Sequence, residues 1–154
     1  MQNSKWSMTT RQGFTLIELL IVITIIGVLA SLLMSNFVGV RQRARDSQRK
    51  SDLRQIQSAL EIYRSDQGSY PGSIPACGSA LTSPPPDTST VYMQKIPCDP
   101  LNTGEYVYTY TLTSGLYSLQ GCLENYNDSQ KDTPNDTSKC TGVTTDWSYT
   151  LTPP

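Results

Sequence analysis

From Gln12 to Val40 the chain carries one ionisable side chain, Glu18, and between Leu19 and Met34 only Thr24, Gly27 and Ser31 interrupt the apolar residues. About 20 helical residues at 1.5 Å each cross a hydrocarbon core roughly 30 Å thick. The run therefore reads as one membrane-crossing helix, residues 14–40, and the rest of the chain must be organised around it. An acid inside such a helix costs on the order of 3 kcal/mol at mid-depth and less near the interface. In the first turn, the positive end of the helix dipole offsets part of that cost. The sequence thus confines Glu18 to the beginning of the helix.

Residues Met1 to Gly13 contain Lys5 and Arg11 and no acid, which by the positive-inside tendency places this end in the cytoplasm. A conventional secretory signal is cut after its apolar region, behind small residues, and Ala30-Ser31 is where such a cut would fall. The string Gly13-Phe14-Thr15-Leu16-Ile17-Glu18-Leu19-Leu20 instead resembles the processing site of bacterial type IV prepilins and type II secretion pseudopilins. That resemblance implies a leader, residues 1–13, removed by a prepilin peptidase and methyltransferase that cuts between Gly13 and Phe14 and methylates the new amine of Phe14. It also implies that Glu18 neutralises that amine on a neighbouring subunit as a filament assembles. A carboxylate in a low dielectric is tolerable when paired, and the pairing then selects one register.

No proline occurs between Phe14 and Pro71, so nothing forces the helix to stop at the membrane surface. Leu53, Ile56, Leu60 and Tyr63 recur at three- and four-residue intervals, giving an apolar stripe, and Gly68 supplies a helix stop. The expectation is one helix from Phe14 to Asp66, roughly 80 Å long, with a membrane half and an amphipathic half. The basic run from Arg41 to Arg54 reads as a solvated or subunit-packing face, with ion pairs such as Asp46 with Arg49 or Lys50. Lipid or nucleic-acid phosphates are the competing partners, but no aromatic residue interleaves the run to stack on bases. Arg45 to Ile56, Gly68-Ser69-Tyr70-Pro71 and Ile96-Pro97-Cys98-Asp99-Pro100-Leu101 also resemble the stems and heads of major pilins and the major pseudopilin. Ser35 stands where many of that family carry proline.

The head, residues 41–154 including the second half of the helix, is acidic beyond the stem: residues 67–154 hold eight Asp or Glu against three Lys or Arg. Pro71 to Asp99 reads as a long connection rich in Gly, Ser, Thr and Pro. Glu105 to Leu112 alternates with period two, putting Tyr106, Tyr108, Tyr110 and Leu112 on one face. Ser114-Gly115 turns the chain, Leu116 to Leu123 returns, and Trp147 to Leu151 alternates again. The fold class is therefore α+β: a long N-terminal helix with a small antiparallel sheet laid on its apolar stripe, the tyrosine face forming core.

Cys77, Cys98, Cys122 and Cys140 lie beyond the membrane segment, and the chain has no histidine. Two disulfides fit better than zinc. Of three possible connectivities, Cys77 with Cys98 and Cys122 with Cys140 closes modest loops and leaves the hairpin intact. The second pair resembles the carboxy-terminal disulfide loop of many type IV pilins. Within it, Asn125, Asn127, Asp128 and Asp132 are candidate calcium ligands, without EF-hand spacing, and Leu119-Gln120-Gly121-Cys122 departs from the glycine and aspartate pattern of the pseudopilin calcium loop. No cofactor is expected. Asn127-Asp128-Ser129 and Asn135-Asp136-Thr137 fit the glycosylation pattern. Without histidine or a phosphate-binding glycine loop, no enzyme is expected.

The resemblance and the disulfide loop favour a structural subunit of a type IV pilus: a helical homo-oligomer assembled by membrane machinery from subunits held in the cytoplasmic membrane with the N-terminus inside, and displayed on the cell surface. The major pseudopilin of a type II secretion system, in a periplasmic filament, is the alternative. A single-pass membrane protein with a DNA- or sugar-binding head that never polymerises is the third reading.

Overall fold

The computed structural model describes residues 13–34, 37–86, 88–141 and 147–154. They fall into two units divided between Val38 and Gly39. The first is helix α1, Leu16–Met34, whose side chains are all exposed. An apolar helix with no buried face requires lipid or other helices around it. Helix α2, Phe37–Gln67, carries the head. The junction of the single long helix expected from the sequence falls on residues 35–36, which lie outside the described residues, as does most of the expected leader.

In the second unit the apolar stripe of α2 does what its spacing dictates: Leu53, Ile56, Ala59, Leu60 and Tyr63 are all buried. The helix ends where Gly68 takes a left-handed conformation, φ 78°, and its amide closes on the Arg64 carbonyl at 2.8 Å. Over the stripe lies a three-stranded antiparallel sheet in the order β3, Thr109–Thr113, then β4, Leu116–Leu123, then β5, Trp147–Leu151. Tyr110 faces Leu119 and Leu112 faces Tyr117 across the first pair; Gly121 faces Tyr149 across the second. Tyr117, Leu119, Leu123 and Tyr149 complete the core with the α2 stripe, and Tyr108, Tyr110 and Leu112 pack against it.

Gly121 on β4 lies close against the α2 side chain Leu53 and against Tyr108. A Cβ there would lie 3.2 Å from Tyr108 Cδ1 and 3.3 Å from Leu53 Cδ1. The central strand β4 is buried on its other face too: Gln120 and Cys122 lie beneath the segment that follows the strand, joined to it by Asp136 and Cys140.

Two expectations need correction. The first strand begins at Thr109, not Glu105, because Tyr106 and Tyr108 are drawn away to polar partners on α2. The Tyr106 ring lies under the Arg49 guanidinium, 4.6 Å from its centre, and the Tyr108 hydroxyl donates to Asp52 at 2.9 Å. The connection from Pro71 to Asp99 is also less irregular than its composition suggests. It contains a second small sheet, β1, Leu81–Thr82, paired antiparallel with β2, Val91–Met93. Leu81 and Ile96 are buried, while the amides of Gly78 and Ile96 bond to the carbonyls of Ile96 and Ser79.

Candidate functional site

At the start of α1, Gly13 and Phe14 are exposed and precede the helix; Phe14 is 84% accessible. The Thr15 amide and hydroxyl both donate to Glu18 Oε2 at 2.8 Å, and the Glu18 amide returns a 3.3 Å bond to the Thr15 hydroxyl. Thr15 is thus the helix cap and Glu18 its reciprocal partner, a capping box. The sequence signal, Thr-x-x-Glu at the beginning of an apolar run, is present but is eclipsed by the question of the membrane acid. Both bonds go to Oε2, so the cap fixes Glu18 in the first turn without using Oε1.

In the head, α2 presents charge inward as well as outward. Arg49 is fully buried. Its Nε donates to Asp99 Oδ2 at 2.7 Å, its Nη2 to Asp99 Oδ1 at 3.1 Å, and its Nη1 to Asp46 at 2.8 Å and Glu124 at 2.7 Å. Arg45 adds a two-pronged contact to Glu124, with Nε on Oε1 at 2.6 Å. Asp46 in turn accepts the backbone amides of Glu124 at 2.9 Å and Asn125 at 2.8 Å. One turn of helix therefore grips the Asp99 loop and the end of β4.

Burial alone lowers the proton affinity of a guanidinium, but here the bonds to Asp99, Glu124 and Asp46 outweigh it and hold Arg49 charged well beyond its ordinary range. Glu124 is pushed up by burial and pulled down further by Arg45 and Arg49, so its carboxyl titrates below the usual value. Asp52 runs the opposite way. Burial raises it, the Tyr108 hydroxyl lowers it, and the nearby Asp99 charge raises it again. The basic run is thus not a solvated face throughout: the Asp46 and Arg49 pair exists, but in the interior, held there by acids 50 and 75 residues further along.

Both cysteine pairs are closed. Cys77 is bonded to Cys98 and Cys122 to Cys140, with Cα atoms 4.9 and 5.6 Å apart. The calcium candidates are scattered onto separate partners. Asn125 Oδ1 accepts the Asn127 amide at 3.2 Å, Asp128 meets Lys50 Nζ at 2.7 Å, and Asp132 takes the Thr150 hydroxyl at 2.6 Å. Among the described residues no three Asp, Glu, His or Cys side chains converge on a common point. The glycosylation patterns also separate. Asn135 is held at both ends of its amide, by the Ser148 amide and the Cys140 carbonyl, whereas Asn127 is exposed.

A shallow polar trough on α2 is lined by Ser47, Lys50, Ser51 and Arg54, and a cleft of about 370 Å³ lies between Ile74, Ile96 and Tyr110. Neither places a nucleophile beside a base, and the chain has no histidine to serve as one.

Comparison with known proteins follows this division of the chain. Residues 8–34 match the family described as the prokaryotic N-terminal methylation motif, and residues 36–139 match type II secretion system protein G. The curated relatives include the type II secretion system core protein G of Escherichia coli, 34% identical over 71% of this chain and 79% of its own length. Those of Pectobacterium carotovorum and Pseudomonas aeruginosa are 36% and 30% identical, covering 66% and 71% of this chain and 70% and 82% of theirs. No solved structure matches. These findings back the pseudopilin reading over the pilus reading that the disulfide loop favours. A disulfide is a staple that any small exported head can carry, so it distinguishes poorly between the two. With a methylation segment ahead of a head that the secretion family matches through most of its length, the chain belongs to the type II secretion system protein G family.

Proposed function

We propose that this chain is the major subunit of a type II secretion pseudopilus, a structural component rather than an enzyme. The observation that carries the reading is the succession of the two family matches on one chain, the methylation motif over residues 8–34 and protein G over 36–139. The precursor sits once across the cytoplasmic membrane with its basic leader inside. Prepilin peptidase cuts between Gly13 and Phe14 and the new amine is methylated. Glu18, held in the first turn by Thr15, offers its remaining oxygen to the Phe14 amine of a neighbour. The fully exposed α1 then exchanges lipid for the helices of other subunits, an exchange in which little apolar surface leaves water. Packing and the one ion pair must therefore set the register. Secretion-system membrane proteins drive this assembly, and the heads lie in the periplasm.

A type IV pilus subunit is the second reading, favoured by the loop that Cys122 and Cys140 close. Deletion of the gene in the native host, with assay of exported enzymes and mass spectrometry of the subunit's amino terminus, tests the proposal. Exported enzymes trapped in the periplasm, together with an envelope-bound subunit beginning at methylated Phe14, is the expected result. Unimpaired export with long surface filaments would turn the assignment to a pilus, and an uncut chain beginning at Met1 would remove both filament readings.

A further inference from the structure

A loop that holds a hard divalent cation turns several oxygen ligands toward one centre. The segment after β4 does the reverse. Both oxygens of each acid from Glu124 to Asp136 meet donors of the protein itself. Those of Glu124 meet Arg45 and Arg49. Those of Asp128 meet Lys50 Nζ at 2.7 Å and the Gln130 amide at 2.9 Å. Those of Asp132 meet the Thr150 amide at 3.2 Å and its hydroxyl at 2.6 Å. Those of Asp136 meet the Ser138 amide and hydroxyl at 3.0 and 2.6 Å, and Gln120 Nε2 at 3.1 Å. The donors belong to α2, β4, β5 and the loop itself, so the carboxylates point apart.

A backbone carbonyl, the other common ligand of calcium, is engaged in the same manner. The Tyr126 carbonyl takes the Lys131 ammonium at 2.6 Å, and that ammonium lies over the rings of Tyr126 and Trp147, 4.0 and 3.9 Å from their centres. Covalent closure comes from Cys122 and Cys140.

We propose that the carboxy-terminal loop of this head folds without a metal, Lys50 and Lys131 supplying the positive charge and the Cys122 to Cys140 bridge the closure that calcium would supply in a loop of this kind. The stability of the head then follows its thiol state and ignores calcium. The partner the head requires is a thiol-oxidising agent in the compartment where it folds. Each bridge forms as two thiols give up two electrons and two protons to that oxidant.

The test uses the full-length chain in detergent, its thermal unfolding followed by circular dichroism with a calcium chelator, with millimolar calcium and with dithiothreitol, and calcium titrated calorimetrically. The expected Tm is the same to within about 1 °C in chelator and calcium, with no saturable heat. It falls by roughly 10 °C or more on reduction. The variant carrying Cys122→Ala and Cys140→Ala, which keeps the Cys77 to Cys98 bridge, falls by part of that amount under oxidising conditions, and Lys50→Met lowers Tm without conferring a calcium response. A rise of several degrees with calcium, saturable binding heat, or a reduced head as stable as the oxidised one would overturn the proposal.

Discussion

Arg49 is the residue on which the head depends most. Its burial is tolerable only because three carboxylates surround it, and removing one side of such a group strands the other. Arg49→Met is expected to cost about 3–5 kcal/mol in urea unfolding, and Arg49→Lys nearly as much, since an ammonium cannot span Asp46, Asp99 and Glu124 as the guanidinium fork does. A loss below 1 kcal/mol would show the network to be dispensable. Glu18 presents a different problem, because one carboxylate caps α1 and, on our proposal, also pairs with a neighbour. Glutamine fills the capping position as well as glutamate does, so Glu18→Gln separates the roles. Helicity in micelles should be kept while filament formation is lost. Normal filaments in electron micrographs of that variant would reduce Glu18 to a cap. Of these features, only the first-turn position of Glu18 was legible along the chain, because its cost is local to an apolar run. The burial of Arg49 was not, since the acids that permit it lie far off in sequence.

The elements were readable to the extent that their signals are periodic. The stripe of α2, its glycine stop and strands β4 and β5 follow from spacing alone. The start of β3 and the pairing of β1 with β2 do not. Tyr106 and Tyr108 alternate correctly for a strand yet answer to Arg49 and Asp52, and β1 and β2 are too short, in too much proline and glycine, to leave a pattern. At Gly121 a Cβ would crowd Leu53 of α2 and Tyr108, just ahead of β3. Gly121→Val should therefore cost about 1–3 kcal/mol by overpacking. Gly72→Ala, which meets nothing within 4 Å, should be neutral by the same denaturation assay. Equal losses at both positions would mean that backbone freedom, not helix-to-sheet distance, selects glycine at 121.

For the whole head, the acids set the response to pH. Burial opposes ionisation of Glu124 and Asp128, but Arg45 and Arg49 hold the first, and Lys50 the second, below their ordinary values of 4.5 and 3.8. A carboxyl lowered in the folded state stabilises it above the unfolded value, and that stability is lost as pH falls through the folded value. Asp52, raised chiefly by burial, acts in the opposite sense, its protonation favouring the fold as pH drops. Glu105 and Asp136 are lowered as well, the first by the Thr141 hydroxyl and amide, the second by Ser138 and Gln120. With four groups against one, Tm should decline on acidification from about 4.5 downward, and Glu124→Gln should flatten that decline. A Tm independent of pH down to about pH 3 would contradict it. The grip of Asp46, Arg49 and Lys50 on segments far along the chain also has a mechanical meaning. A subunit pulled along its stem receives the load through α2. Where that helix is tied sideways to the Asp99 loop, the end of β4 and the Asp128 loop, the pull is shared in shear by several polar bonds at once. Parallel bonds must rupture together, whereas bonds loaded in series peel one by one, so the same grip that fixes the fold makes the head resistant to traction.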